Sequence, residues 1–117
     1  MKVLVIDDSV DTLHMLEKFL ALNHHECLIS NSGMEGLALI KQHDFDAVFL
    51  DLMMPGFTGY DILEKLAQNG GIAKRKIIVF TAASIQEEES DRLLDMGVHQ
   101  VLKKPIDLKL LIQPLMA

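Results

Sequence analysis

The chain has 117 residues, half of them hydrophobic, and a formal charge of −6, which suits one domain able to bury roughly two-thirds of its surface and argues against a nucleic-acid-binding face, since phosphate contacts need clustered Lys and Arg. One cysteine, Cys27, leaves no intrachain disulfide to form and fits a reducing cytoplasm. No apolar run approaches the ~20 residues of a membrane span, and Asp7 and Asp8 interrupt the N-terminal apolar stretch where a signal peptide would continue it. The expectation is one domain over residues 1–117, soluble and cytoplasmic, with neither nucleic acid nor membrane as partner.

Lys2 to Ile6 is a short β-branched run, the pattern of a strand buried on both faces, and it ends in Asp7-Asp8. A helix follows from about Ser9 to Asn23. Its apolar residues, Leu13, Met15, Leu16, Phe19, Leu20 and Leu22, cover more than the ~100° stripe a sheet-packed helix needs, which leaves one margin free for a partner helix. Glu26 to Ser30 reads as a second, weaker strand. Ser32-Gly33-Met34-Glu35 is a capping box opening a helix to about Gln42, with Met34, Leu37, Ala38 and Ile40 as its apolar content.

Ala47 to Leu50 is a third strand, fully apolar and ending abruptly in Asp51. Pro55-Gly56 makes a turn, and Thr58 caps a helix from Gly59 to about Gln68 that Asn69-Gly70-Gly71 stops. Lys76 to Phe80 is a fourth strand, ending in Thr81. Ser84-Ile85-Gln86-Glu87 is read as another capping box, starting a helix to about Asp95 that Met96-Gly97 closes. This helix has no apolar residue between Ile85 and Leu93, so it is loosely anchored. Val98 to Leu102 is a fifth strand, followed by Lys103-Lys104-Pro105. A last helix starts at about Asp107 and ends near Gln113, because Pro114 would clash with the Leu110 carbonyl.

Five strands alternating with five helices imply an α/β fold with a parallel sheet covered on both faces. The small doubly wound, flavodoxin-like order 2-1-3-4-5 is the natural one. In that order strands 1, 3, 4 and 5 are neighbours, and their carboxyl ends carry Asp7-Asp8, Asp51, Thr81 and Lys104. That edge is where open α/β sheets bind ligands. Carboxylates crowded there repel by ~4 kcal/mol per pair at 4 Å and an effective dielectric near 20. A raised pKa or a hard cation relieves this, and Mg²⁺ suits one or two carboxylates while leaving positions for phosphate oxygens. With the metal present, Asp51 has the chemistry of a carboxylate nucleophile toward phosphorus. A lysine ammonium and a threonine hydroxyl would meet the remaining equatorial oxygens.

These residues bring the chain to a known family. Ile6-Asp7-Asp8, Asp51-Leu52-Met53-Met54-Pro55 with Gly59, Phe80-Thr81-Ala82 and Lys104-Pro105 closely resemble, in order and spacing, the receiver domains of bacterial two-component response regulators, over essentially the whole chain. The resemblance implies a single receiver domain that takes a phosphoryl group on Asp51 from a sensor histidine kinase or phosphotransfer protein. It implies that Asp8, Asp51 and the Met53 carbonyl oxygen ligate Mg²⁺, with Asp7 acting largely through water. It further implies that Thr81 moves toward the phosphate, that Lys104 pairs with it, and that the Lys104–Pro105 bond is cis. The surface of the fourth helix, fifth strand and fifth helix would then control a downstream output domain or protein, and a homodimer on activation belongs to the same picture.

Two departures matter. Three residues before the lysine, where many members carry Tyr or Phe, this chain has Val101, so a ring-flip readout there has no ring. Met53 and Ala83 hold positions that in the family influence phosphoryl lifetime, and neither offers a group to orient an attacking water; slow self-dephosphorylation is expected. An aspartate-nucleophile, Mg-dependent phosphatase is the alternative reading, but it needs a second Asp two residues after the nucleophile, where Met53 stands. A signalling switch that turns over nothing but its own phosphoryl group is the expectation. His14, His24, His25, His43 and His99 lack metal-ligand spacing and read as solvent-exposed, and Cys27 reads as a small apolar residue on a strand.

Overall fold

A computed structural model describes residues 1–82 and 84–116. Its strands are β1 (Lys2–Ile6), β2 (Glu26–Ser30), β3 (Ala47–Asp51), β4 (Lys76–Thr81) and β5 (Gln100–Lys103). The helices between and after them are α1 (Val10–Leu22), α2 (Gly33–Gln42), α3 (Gly59–Ala67), α4 (Glu87–Asp95) and α5 (Leu108–Ile112). The strands form one parallel sheet in the order β2-β1-β3-β4-β5, as the alternating pattern requires. The sheet divides the apolar interior. Leu4, Ile6, Val48, Leu50, Ile77 and Val79 point to α2, α3 and α4, whereas Val3, Val5, Phe49, Ile78 and Phe80 point to α1 and α5. No described helix is long and apolar enough to cross a membrane.

Helix ends follow the expected chemistry at several points. The Thr58 and Asp61 side chains satisfy each other's backbone N–H in a complete capping box, and Asp107 caps α5 by accepting from the Lys109 N–H. Regular helix stops at Ile112 and gives way to a 3-10 turn, Gln113–Leu115, that contains Pro114. On α1, Leu13, Leu16 and Leu20 are buried while Met15 and Leu22 remain exposed, so the broad apolar face does leave a margin outside.

Elsewhere the structure corrects the sequence reading. Ser84 does not cap α4: the Ile85 N–H donates to the Ala82 carbonyl in a preceding turn, and Gln86 occupies the N-cap without a side-chain bond. Glu87, Glu88 and Glu89 stand in the first turn instead, where negative charge complements the helix dipole. The Ser32 box is only half formed. Its hydroxyl accepts from the Glu35 N–H, but its own N–H goes to the Ser30 hydroxyl. β5 starts two residues later than expected because Val98 is spent on the exit from α4, its N–H reaching Leu93 O while the Gly97 N–H reaches Leu94 O. This exit puts Gly97 at φ +108, a left-handed value that favours glycine.

α2 docks through Gly33, Gly36 and Ile40 with Leu37 packed beside them, while Met34 and Ala38 are exposed; a Cβ on Gly36 would lie 2.5 Å from Ile6 Cδ1. His14, His24 and His99 are exposed as expected, whereas His25 and His43 are half-buried. His43 Nδ1 lies 3.0 Å from Lys2 Nζ, and its ring is tilted 5.6 Å from that of Phe45. Cys27 is half-buried, and burial, followed by the charge of Glu17, pushes its thiol up to about 12, as suits an inert packing residue.

Candidate functional site

Parallel register brings the expected groups together. Ile6 pairs with Leu50, Asp51 with Phe80, and Thr81 with Lys103. The residues just beyond those pairs therefore share one rim. Asp7, Asp51 and Thr81 are buried there, while Asp8 is exposed at the mouth. Close contacts fix the turn after β3: a Cβ on Gly59 would fall 2.5 Å from the Asp51 carbonyl oxygen and 2.7 Å from Leu52 Cα. Only a residue without a side chain lets α3 start so near the site.

One oxygen of each buried carboxylate is held by backbone. Asp7 Oδ1 accepts from the Ser9 N–H at 2.9 Å, and Asp51 Oδ1 from the Met53 N–H at 3.1 Å. The other oxygens face Lys104, whose Nζ lies 3.2 Å from Asp51 Oδ2 and 3.5 Å from Asp7 Oδ2. Of the two adjacent lysines it is Lys104, before a cis peptide bond to Pro105, that turns inward, and Lys103 is exposed. The Lys104 N–H continues the ladder to Thr81 O at 2.8 Å.

Burial is the main influence raising the Asp51 pKa, and the charge of Asp7 adds to it; the Met53 N–H and Lys104 oppose them without cancelling them. Burial pulls the Lys104 ammonium down, but Asp51 and Asp7 outweigh it and its pKa ends above the ordinary value. Among the described residues, two buried side-chain polar atoms lack a hydrogen-bond partner, Asp7 Oδ2 and Thr81 Oγ1, and both are in this site.

The donor set fits a hard divalent cation. One oxygen from each of Asp7, Asp8 and Asp51 lies within 4.8 Å of the others. Three carboxylates against one ammonium leave the cluster two negative charges in excess, and an ion with oxygen ligands at about 2.0–2.1 Å would need only small side-chain adjustments to sit among them. Met53, 68% exposed, follows Asp51 by two residues. Ala83 lies outside the described residues. Tyr60 and Ile85 also approach the site, lining a cavity beside Thr81. No motif marked them, because a lone aromatic at a helix start looks like ordinary core packing.

The response regulator receiver domain description matches residues 3–116, and the chain belongs to that family. The probable transcriptional regulator ycf29 of Pyropia yezoensis is 32% identical over 91% of this chain, which spans only 47% of that relative's length. Protein PilH of Pseudomonas aeruginosa is 27% identical over 99% of this chain and 95% of its own. Among solved structures, the receiver domain of the Francisella response regulator 1452 superposes with a TM-score of 0.86 at 27% identity, covering 95% of this chain and 89% of that one. The chain is thus a receiver domain of two-component signalling.

Proposed function

We propose that this receiver is a phosphorylation-controlled switch with Asp51 as acceptor. A carboxylate oxygen of Asp51 would bond to phosphorus as the donor's P–N bond, on a histidine of a sensor kinase or phosphotransfer protein, breaks and the imidazole leaves. Asp7, Asp8, Asp51 and the Met53 carbonyl oxygen would hold Mg²⁺, which when bound supplies neutralising charge to the phosphoryl oxygens. Asp7 also accepts from the Ser9 N–H and so fixes the entry to α1. Lys104 follows the charge from Asp51 to the new phosphoryl oxygens, and the Thr81 hydroxyl donates to another. The observation that carries this reading is the buried Thr81 hydroxyl, which has no hydrogen-bond partner, beside two buried carboxylates, Asp51 and Asp7, that share the Lys104 ammonium at 3.2 and 3.5 Å. The hydroxyl would gain an acceptor once a phosphoryl group is present, and the carboxylates would gain a second positive charge once a cation is.

The added charge and acceptor oxygens bias an equilibrium between two conformations. Its outlet is the α4–β5–α5 surface, because α4 is held by a single buried residue, Leu93. A downstream domain or protein would read that surface. Intact mass after incubation with a small phosphodonor and Mg²⁺ tests the assignment. Wild type should gain one phosphoryl group and Asp51→Asn none; an adduct on both would mean another acceptor, and steady turnover of a phosphomonoester would mean an enzyme.

A further inference from the structure

Tyr60 is the chain's one tyrosine, and there is no tryptophan. It stands half-buried on the first turn of α3 and separates two hollows. On the inner side a cavity of about 130 Å³ is shared with Leu52, Thr81, Ser84 and Ile85. On the outer side a groove between α3 and α4 is shared with Glu64, Arg92 and Met96. The inner cavity is close to the ~150 Å³ apolar hollow that accommodates a benzene ring. Its neighbours Ile85 and Val101 pack on the same core cluster as Tyr60 and are aliphatic, so the tyrosine is the aromatic ring at hand to fill it.

Two contacts define the ring's present position. The carboxylate of Glu89 on α4 lies beside the phenol. Burial first and Glu89 second hold the Tyr60 pKa above its ordinary value. Glu89 in turn accepts from Arg92 Nη2 at 2.9 Å, so phenol, carboxylate and guanidinium bridge α3 to α4. On the cavity side is Thr81, 3% exposed, with a hydroxyl that has no partner. Movement of Thr81 changes the wall of the cavity, and the cavity is ring-sized.

We propose that Tyr60 is the positioning residue coupling Thr81 to α4: when Thr81 is drawn to a phosphoryl group on Asp51, the ring turns from Glu89 into the inner cavity and frees the Glu89–Arg92 segment. This rests on the phosphoacceptor reading above. α4 is suited to respond, since it has neither a side-chain cap nor a buried residue other than Leu93.

The single tyrosine makes the test direct, because tyrosine emission reports this ring alone. The full chain is mixed with Mg²⁺ and beryllofluoride, a phosphoryl mimic; fluorine NMR reports the adduct, and acrylamide quenching reports ring accessibility. In wild type the quenching constant should fall by about half as the population shifts. In Thr81→Val, which keeps the volume and loses the hydroxyl, the adduct should form more weakly, and at beryllofluoride high enough for fluorine NMR to show it saturated, quenching should stay unchanged. In Glu89→Gln the ring should be partly protected before any adduct forms. An adduct in wild type with unchanged quenching overturns the proposal, as does a full change that survives in Thr81→Val. Absence of any fluorine signal from bound beryllofluoride would instead sink the phosphoacceptor reading on which it rests.

Discussion

The Lys104 ammonium rests 3.2 Å from Asp51 Oδ2 although 53 positions separate the two residues in the chain. Among the described residues it is the one cation within ion-pair distance of these two buried carboxylates, so Lys104→Met should leave Asp7 and Asp51 repelling each other without relief. Because Lys104 is itself part-exposed, the expected loss of stability is about 1–2 kcal/mol, below the 3–5 typical of fully buried pairs. Millimolar Mg²⁺ should recover much of it, since a ligand bound at ten times its Kd adds about 1.4 kcal/mol. Urea unfolding with and without Mg²⁺ measures both; equal losses in the two conditions would contradict a shared metal site.

The raised pKa of Asp51 has a stability consequence of definite sign. An acid whose folded pKa lies above its unfolded value binds more protons when folded within that interval, so stability falls as pH rises through it. Neutral pH is on the unfavourable side. Asp51→Asn should therefore raise the melting temperature at pH 7, by roughly 2–6 °C for about 1 kcal/mol in a domain of this size. The gain should vanish as pH falls to the ordinary carboxylate value of 3.8. Calorimetry across that range would show a constant or inverted difference if the sign were wrong.

Gly59→Ala should be costly out of proportion to one methyl group. The new Cβ would meet backbone atoms of Asp51 and Leu52, which cannot swing aside as a side chain would. A loss of about 1–3 kcal/mol, the ordinary range for overpacking, should come with slowed phosphorylation if the displaced turn carries the acceptor, as proposed for Asp51. A variant of unchanged stability would show that α3 has more freedom than the contact distances allow.

Met53 is exposed two residues after Asp51, the proposed acceptor, and offers no group to orient water. The phosphoryl group should consequently persist well beyond seconds in purified protein. Met53→Asn should shorten its life several-fold by positioning an attacking water. Decay of the phosphoprotein followed by intact mass reads both, and a wild-type half-life of seconds would refute the expectation.

Amide exchange should increase in residues 84–102 on phosphorylation and change little in β1 and β3. Leu93 is the one buried residue of α4, so this helix should open at low cost. Identical exchange profiles before and after would place the signalling surface elsewhere.

Most of the scaffold was legible because its signals are local. Ile6-Asp7-Asp8, the run into Asp51, and Phe80-Thr81 each show an apolar strand stopping at a polar group, and parallel order alone aligns their ends. Helix boundaries were less secure where charge replaced geometry. Ser84 resembles a cap in one dimension, yet the turn from Ala82 to Ile85 sends the chain past it. The late start of β5 depended on how Val98 closes α4, a bond between residues assigned to different elements. Tyr60 was hidden for a related reason: its importance comes from a cavity wall contributed by β4 and the loop after it, and no sequence window contains that neighbourhood.

The division of the interior by the sheet has a consequence for how this receiver tolerates change. The stacked Phe49 and Phe80 rings, 5.8 Å apart, stiffen the α1–α5 side, while Tyr60, Ile85 and Leu93 belong to the other compartment. Truncation of buried residues in either compartment should cost stability, but only on the Tyr60 side should substitutions also disturb the coupling proposed between Thr81 and α4. Pairs drawn one from each should combine additively. Such a molecule keeps the ring it is proposed to move apart from the rings that brace it, with the sheet as the partition between them.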